Sequence, residues 1–198
     1  VRVIVVSMSG VCVSVQNSAN GVANSLDSMG CIVGQAMNLA MITVIGRCVG
    51  AGDSGQVRHY TKKLLKITYV CTFVVNSIIL LCLPWILKCY GLSPETTQLS
   101  YILVMIHNGM AMLLWPASFV LPNMLRACND VRFTMVLSIF SMFMFRIGFS
   151  YIIGVNMGYG AIGVWIAMVL DWIFRVICFV SRYLSGHWLK TAGLKDNR

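Results

Sequence analysis

The sequence predicts an all-α protein, a polytopic bundle of membrane-spanning helices. Three observations carry that expectation. Hydrophobic residues make up 58% of the 198 residues and charged ones only 11%, whereas about one quarter of a soluble domain is charged; the mean hydropathy is +0.80. The apolar runs mostly reach about 20 residues, the length a helix needs to cross the hydrocarbon core. They are continuous and do not alternate, which argues against an outer-membrane barrel. Finally, the basic residues alternate from side to side along the chain, as loops of a membrane protein do.

The elements follow in order. Residues 1–15 read as a partial first helix. Arg2 leads straight into VIVVSMSGVCVSV with no cleavage site of small residues, so this is not a secretory signal. About 14 apolar residues are too few for a comfortable span, and the chain is expected to start inside a helix of a longer protein. A short polar link at Gln16–Ser18 precedes a long second helix, 19–49. At 1.5 Å per residue it measures roughly 45 Å, so it must tilt, bend or emerge from the bilayer. Gly30 and Gly34 are candidate places for a bend or for close packing. The GAGD turn, 50–53, ends it with glycine in the C-terminal cap region. A third helix spans 60–87 and begins with Lys62, Lys63 and Lys66. The loop 89–97 carries Ser93-Pro94-Glu95, a helix-start signal. A fourth helix, 97–122, contains His107, Asn108 and Pro116; the proline removes a backbone donor and predicts a kink. LPNMLRACNDVR reads as the next loop. Helices at 132–154 and 160–184 are separated by the glycine-rich NMGYGAIG, and residues 185–198 form a basic tail. Residues 1–184 thus make one membrane lobe.

Charge fixes the orientation. Eleven of the fifteen Lys and Arg fall in the 47–66 loop, the 122–132 loop and the stretch from Arg182 to Arg198, while the intervening stretches at 16–18, 88–97 and 155–160 hold only Lys88. Basic residues accumulate on the cytoplasmic side, so the C-terminus is expected in the cytoplasm. The net charge of +9 is accounted for in the same way, and no nucleic-acid partner is expected.

The residues that could carry chemistry are few. Gln16, Asn20, Asn24 and Asp27 are spaced by four, four and three, which puts them on one helix face. Gln35 and Asn38 continue the polarity. Ionisable groups in a membrane face a bundle interior or a watery cavity. Asn20, Asn24, Asp27 and Gln35 are therefore candidate cavity residues, with inter-helix hydrogen bonding by the amides as the other reading. Arg146 and Asp171 lie at similar depth on adjacent helices, and Arg175 is the i+4 neighbour of Asp171. A structural ion pair locking two helices is the expectation; a proton relay is the alternative. Eight cysteines make no CxxC, and His59, His107 and His187 make no HxxxH. No metal site and no cofactor are expected. GAGD lacks the GK[ST] ending of a phosphate loop, and no nucleophile motif or carboxylate dyad argues for an enzyme.

Three stretches together resemble one family. VANSLDSMGCIVGQAMNLAMITVIGRCVGAGD, PNMLRACNDVRFTMVLSIFSMFMFRIGFSYIIG and GYGAIGVWIAMVLDWIFRVICFVSRYLSGHW are similar in order and spacing to the C-terminal half of a MATE (multidrug and toxic compound extrusion) transporter. The resemblance implies a six-helix C-terminal lobe of a twelve-helix protein, its first helix truncated, embedded in a bacterial inner membrane. It further implies export of drugs or organic cations in exchange for sodium or protons by alternating access, against a missing N-terminal lobe. NorM-like branches of the family place a cation-binding acid in the fourth helix of this lobe. Here that neighbourhood reads NGMAMLLWPASFVLPNMLR, with no acid. The chain is thus more similar to the DinF-like branch, which implies a driving-ion site in the N-terminal lobe. In LRACND, Asn129 stands where the family usually has glycine. A lipid or polysaccharide flippase of the wider superfamily, or a non-transporting membrane remnant, are the other functions compatible with the sequence.

Overall fold

The computed structural model describes residues 14–156 and 160–195, which are helical with no strand among them. Helix α1 runs Ser14–Gly50, α2 Ser54–Cys89 and α3 Pro94–Ala127. Helix α4 begins as Val131–Ser141 and continues in π-helical form through Met142–Phe149 and Ile152–Asn156. Helix α5 is Gly160–Leu184, and α6 is the short His187–Thr191 within the tail. Five of these are long and apolar enough to cross a membrane. The first expected helix, 1–15, lies outside the described residues except for Ser14 and Val15, which open α1.

Several boundaries differ from expectation, each for a local reason. Gln16–Ser18 is not a link; it lies inside α1. Helix α2 starts six residues before position 60, because one aspartate organises the whole turn. Gly52 takes φ +75°. Its N–H reaches the Val49 carbonyl at 3.0 Å, and the Asp53 N–H reaches Cys48 at 3.2 Å, the Schellman pattern that closes a helix. The Asp53 carboxylate then accepts from the Gln56 N–H at 3.0 Å, capping α2 at once. Ser93 does the same for α3, accepting from the Thr96 N–H at 3.3 Å with Pro94 at the first helical position.

The segment read as a loop from residue 122 is helical to Ala127. A second Schellman turn ends it: Asp130 N–H to Leu125 O at 2.9 Å and Asn129 N–H to Arg126 O at 3.0 Å. Asn129 occupies the left-handed position at φ 64°, a conformation asparagine tolerates better than most residues. Within α3, Pro116–Val120 forms a π turn in which the Leu121 N–H bonds back to Pro116 O. Proline cannot donate to the normal ladder, and a one-residue widening is a common resolution.

The bundle buries two apolar clusters. One, towards the basic end, gathers Met41, Ile45, Val57, Leu121, Leu125 and Phe179; the other gathers Ala19, Leu26, Leu83, Leu103 and Trp165. Between them, along α1 and α3, lie buried polar residues, Asp27, His107 and Asn108. Outward, the surface is apolar: Phe73, Leu81, Trp85, Val136, Phe143 and Leu184 are all more than 45% exposed. Patches of that extent are a liability in water and the required surface in lipid.

Gly30 and Gly34 serve close packing. A Cβ on Gly30 would meet Asn76 Oδ1 at 2.6 Å, and one on Gly34 would fall on the ring of Trp115. Trp115 is itself buried and cannot withdraw. Gly34→Val should therefore overpack the α1–α3 seam and cost about 1–3 kcal/mol. Thermal unfolding of the detergent-solubilised protein reads this, and an unchanged midpoint would mean that the two helices are not so close.

Candidate functional site

Between them, α1, α3, α4 and α5 leave a cleft of ≈ 410 Å³. Its polar lining comes from Gln35 and Asn38 on α1, Ser118, Asn123 and Arg126 on α3, and Arg175 on α5. The π turn puts Ser118 here, where its hydroxyl donates to the Trp172 carbonyl across the interface at 3.0 Å. Arg126 Nη1 donates to Asn123 Oδ1 at 3.1 Å, and the Arg175 guanidinium lies over the Phe119 ring, 5.5 Å from its centroid. Asn38 Oδ1 is buried with no hydrogen-bond partner among the described residues. A polar cleft between apolar-faced helices can hold water or a polar ligand, since lipid tails offer its amides and guanidiniums nothing.

Arg146, Asp171 and Arg175 meet. Asp171, fully buried, accepts from Arg146 Nε at 3.3 Å and from Arg175 Nε at 3.1 Å. Arg175 also donates to Ser141 Oγ at 2.8 Å and to the Ser138 carbonyl at 3.2 Å. One carboxylate on α5 thus ties together both guanidiniums and, through Arg175, the backbone of α4. Because Arg175 also lines the cleft, a ligand bound there is one residue away from this buried charge.

The polar face of α1 is divided. Gln35 is exposed in the cleft. Asn20 and Asp27 do not line it; each is 4% exposed and turned into the bundle. Asp27 Oδ1 lies 3.2 Å from His107 Nδ1 on α3, and the Cys31 thiol donates to the same oxygen at 3.3 Å. His107 sits edge-on between Trp165 and Trp172, both ring centroids 4.7 Å away. Trp165 Nε1 in turn donates to Asn20 Oδ1 at 2.8 Å. Asn24, half-buried, donates to the Asn20 carbonyl of its own helix at 2.7 Å. The result is a connected polar seam through α1, α3 and α5, with Asn108 Nδ2 buried beside it without a partner among the described residues.

His107 is the functional candidate that the sequence leaves unassigned, because its spacing to His59 and His187 points only away from a metal site. The signal is its depth: a carboxylate inside a bundle needs a partner, and His107 and Asp27 each stand 13 residues from the start of their helices, α3 and α1, which run parallel because one spanning helix separates them. Among the described residues no group of three His, Cys, Asp or Glu is placed to hold a metal ion.

A bundle of long helices with apolar outer faces, buried charges and a polar cleft defines a multi-pass membrane protein with a polar interior. The family model MatE matches residues 2–152, and the chain belongs to that family. It is 22% identical over 174 residues, 88% of its length, to the "Probable multidrug resistance protein NorM" of Thermotoga maritima, and covers 37% of that protein. It is also 27% identical over 101 residues, half of its length, to the "Uncharacterized transporter YisQ" of Bacillus subtilis, covering 21% of it. The chain therefore spans well under half the length of these relatives.

Proposed function

We propose that this chain is one six-helix lobe of a secondary active antiporter that exports drugs or organic cations by alternating access, in exchange for sodium or protons. The observation that carries the reading is the polar cleft of α1, α3, α4 and α5, set among helices whose outer faces are apolar. Membership of the MatE family and the multidrug-resistance name of the Thermotoga relative support it. A second lobe completes the cavity. Arg126 and Arg175 repel a cation from their side of the cleft, so this wall contributes the α1 amides, Gln35 and Asn38, and countercharge comes from the second lobe. The driving-ion site lies in that lobe as well, because α3 carries no acid after its first turn, where Glu95 stands.

Expression of the full-length protein containing this chain in a drug-sensitive bacterial host tests the reading. Ethidium should leave preloaded cells, and collapse of the sodium and proton gradients should stop it. Retention of ethidium by cells that carry the protein in their membrane, together with movement of a fluorescent lipid between leaflets, would move the assignment to a flippase.

The orientation belongs to the same proposal: an inner-membrane protein with its basic loops and C-terminus in the cytoplasm. Cys89 and Cys128 report on it. Cys89 is exposed at the end of α2, whereas Cys128 is buried in the α3–α4 turn. Burial, aided by the charge of Asp130, pushes the Cys128 thiol up to about 12. At pH 8 it stays protonated, and the thiol is a poor nucleophile. A membrane-impermeant maleimide should therefore label intact cells at Cys89, lose that label in Cys89→Ser, and leave Cys128 unmodified until the protein is denatured. Label at Cys89 only after the cells are broken would invert the topology.

A further inference from the structure

At the basic end of the bundle, away from the cleft, the start of α2 and the junction of α5 with α6 enclose a small pocket of ≈ 140 Å³. It is lined by Arg58 and Lys62 from α2 and by Tyr183, Leu184, Gly186 and Trp188. Its floor is rigid. Trp188 is 1% exposed, its ring lies parallel to that of Tyr183 with centroids 6.2 Å apart, and its Nε1 donates to the Tyr183 carbonyl at 3.1 Å. The Arg58 guanidinium stands over the Trp188 ring, 5.7 Å from its centroid. Gly186, at φ 69°, turns the chain between α5 and α6 and so brings Trp188 back against α2.

Two features identify the occupant. Two cationic side chains face one small space, and none of the described residues lining it is acidic. Apolar surface adjoins it: Leu184, one of its lining residues, is 71% exposed, and Ile177, two turns earlier on the same face of α5, is 60% exposed. A site that pairs positive charge with aromatic rings at a helix end, and opens beside an acyl-facing surface, suits an amphiphile with an anionic head.

We propose that this pocket binds the phosphodiester headgroup of an anionic phospholipid, with Arg58 and Lys62 as its cationic contacts, Trp188 and Tyr183 as its aromatic floor and the acyl chains running along Leu184 and Ile177. The occupant comes from the membrane leaflet on the basic side. The interaction fastens α6 and the tail to the start of α2.

Native mass spectrometry of the purified full-length protein, titrated with phosphatidylglycerol or phosphatidylcholine, tests the site. Phosphatidylglycerol should be retained in preference to phosphatidylcholine. Each cationic contact near a membrane surface is expected to contribute about fivefold, so the Arg58→Gln/Lys62→Gln double variant should retain phosphatidylglycerol about 30-fold less tightly. Lys62 is exposed, so Lys62→Gln alone should fold normally and show the fivefold loss even if the double variant is unstable. Equal retention of the two lipids, or unchanged retention in Lys62→Gln, overturns the proposal. Displacement of the lipid by inorganic phosphate overturns it in favour of a soluble phosphate ligand. Ethidium efflux is read separately, so an inactive transporter that still selects phosphatidylglycerol leaves this site standing.

Discussion

Asp171→Ala will destabilise the bundle by about 3–5 kcal/mol, because it takes from two guanidiniums the buried carboxylate they share. Asp171 is fully buried, and the side chains of Arg146 and Arg175 are 17% and 11% exposed. The sharper comparison is with a variant that removes the whole group. Replacing Asp171, Arg146 and Arg175 together with apolar residues of similar volume should recover most of the loss, since a buried ion network is often no more stable than good apolar packing. Yield of folded protein in the membrane and the thermal midpoint in detergent read both variants. Should Asp171→Asn instead leave abundance and melting unchanged while abolishing efflux, the three residues are a proton relay and the locking role is wrong.

The second large effect concerns Asp27. Asp27→Asn keeps an oxygen opposite His107 and the Cys31 thiol, so the protein should fold and reach the membrane at its usual level. Efflux should nevertheless drop about tenfold or more, the equivalent of one hydrogen bond to a charged group, about 1.5–3 kcal/mol. Asp27 is buried, so a role in contacting substrate requires the α1–α3 seam to open during the transport cycle. Efflux that survives the substitution removes Asp27 from the substrate path and leaves it as a link between helices. His107→Ala gives the complementary case: a buried carboxylate that loses its imidazole contact should lower stability, where the amide does not.

Much of the architecture was legible in the sequence because lipid imposes long, uninterrupted apolar runs and the loops carry the charge. The spans of α1 to α5 follow from that alone. The helix ends were less legible, since they depend on single hydrogen bonds. Asp53 starts α2 early by accepting one N–H, and Asn129 lets α3 run on to Ala127 by adopting a left-handed backbone. Neither residue differs in composition from an ordinary loop residue. The Arg146–Asp171–Arg175 group could be placed by depth, because each helix advances by a fixed rise. The Asp27–His107 contact follows from the same arithmetic, whereas metal-ligand spacing among the histidines does not reveal it. The division of the polar face, with Gln35 in the cleft and Asn20 and Asp27 turned inward, was not readable. It depends on how α3 and α5 pack on α1, and one row of side chains does not specify its neighbours.

Helix α1 has a mechanical consequence. It contains no proline across Ser14–Gly50, so its backbone ladder is unbroken over roughly 55 Å at the standard rise. At Gly34 it passes tight against the flat ring of Trp115, with no side chain of its own at that position to interlock. That makes it a lever with a fulcrum. The end at Ser14 lies about 30 Å from Gly34, so each degree of tilt there carries the tip about half an ångström. A rotation too small to disturb the core would thus become a displacement of several ångströms at the rim.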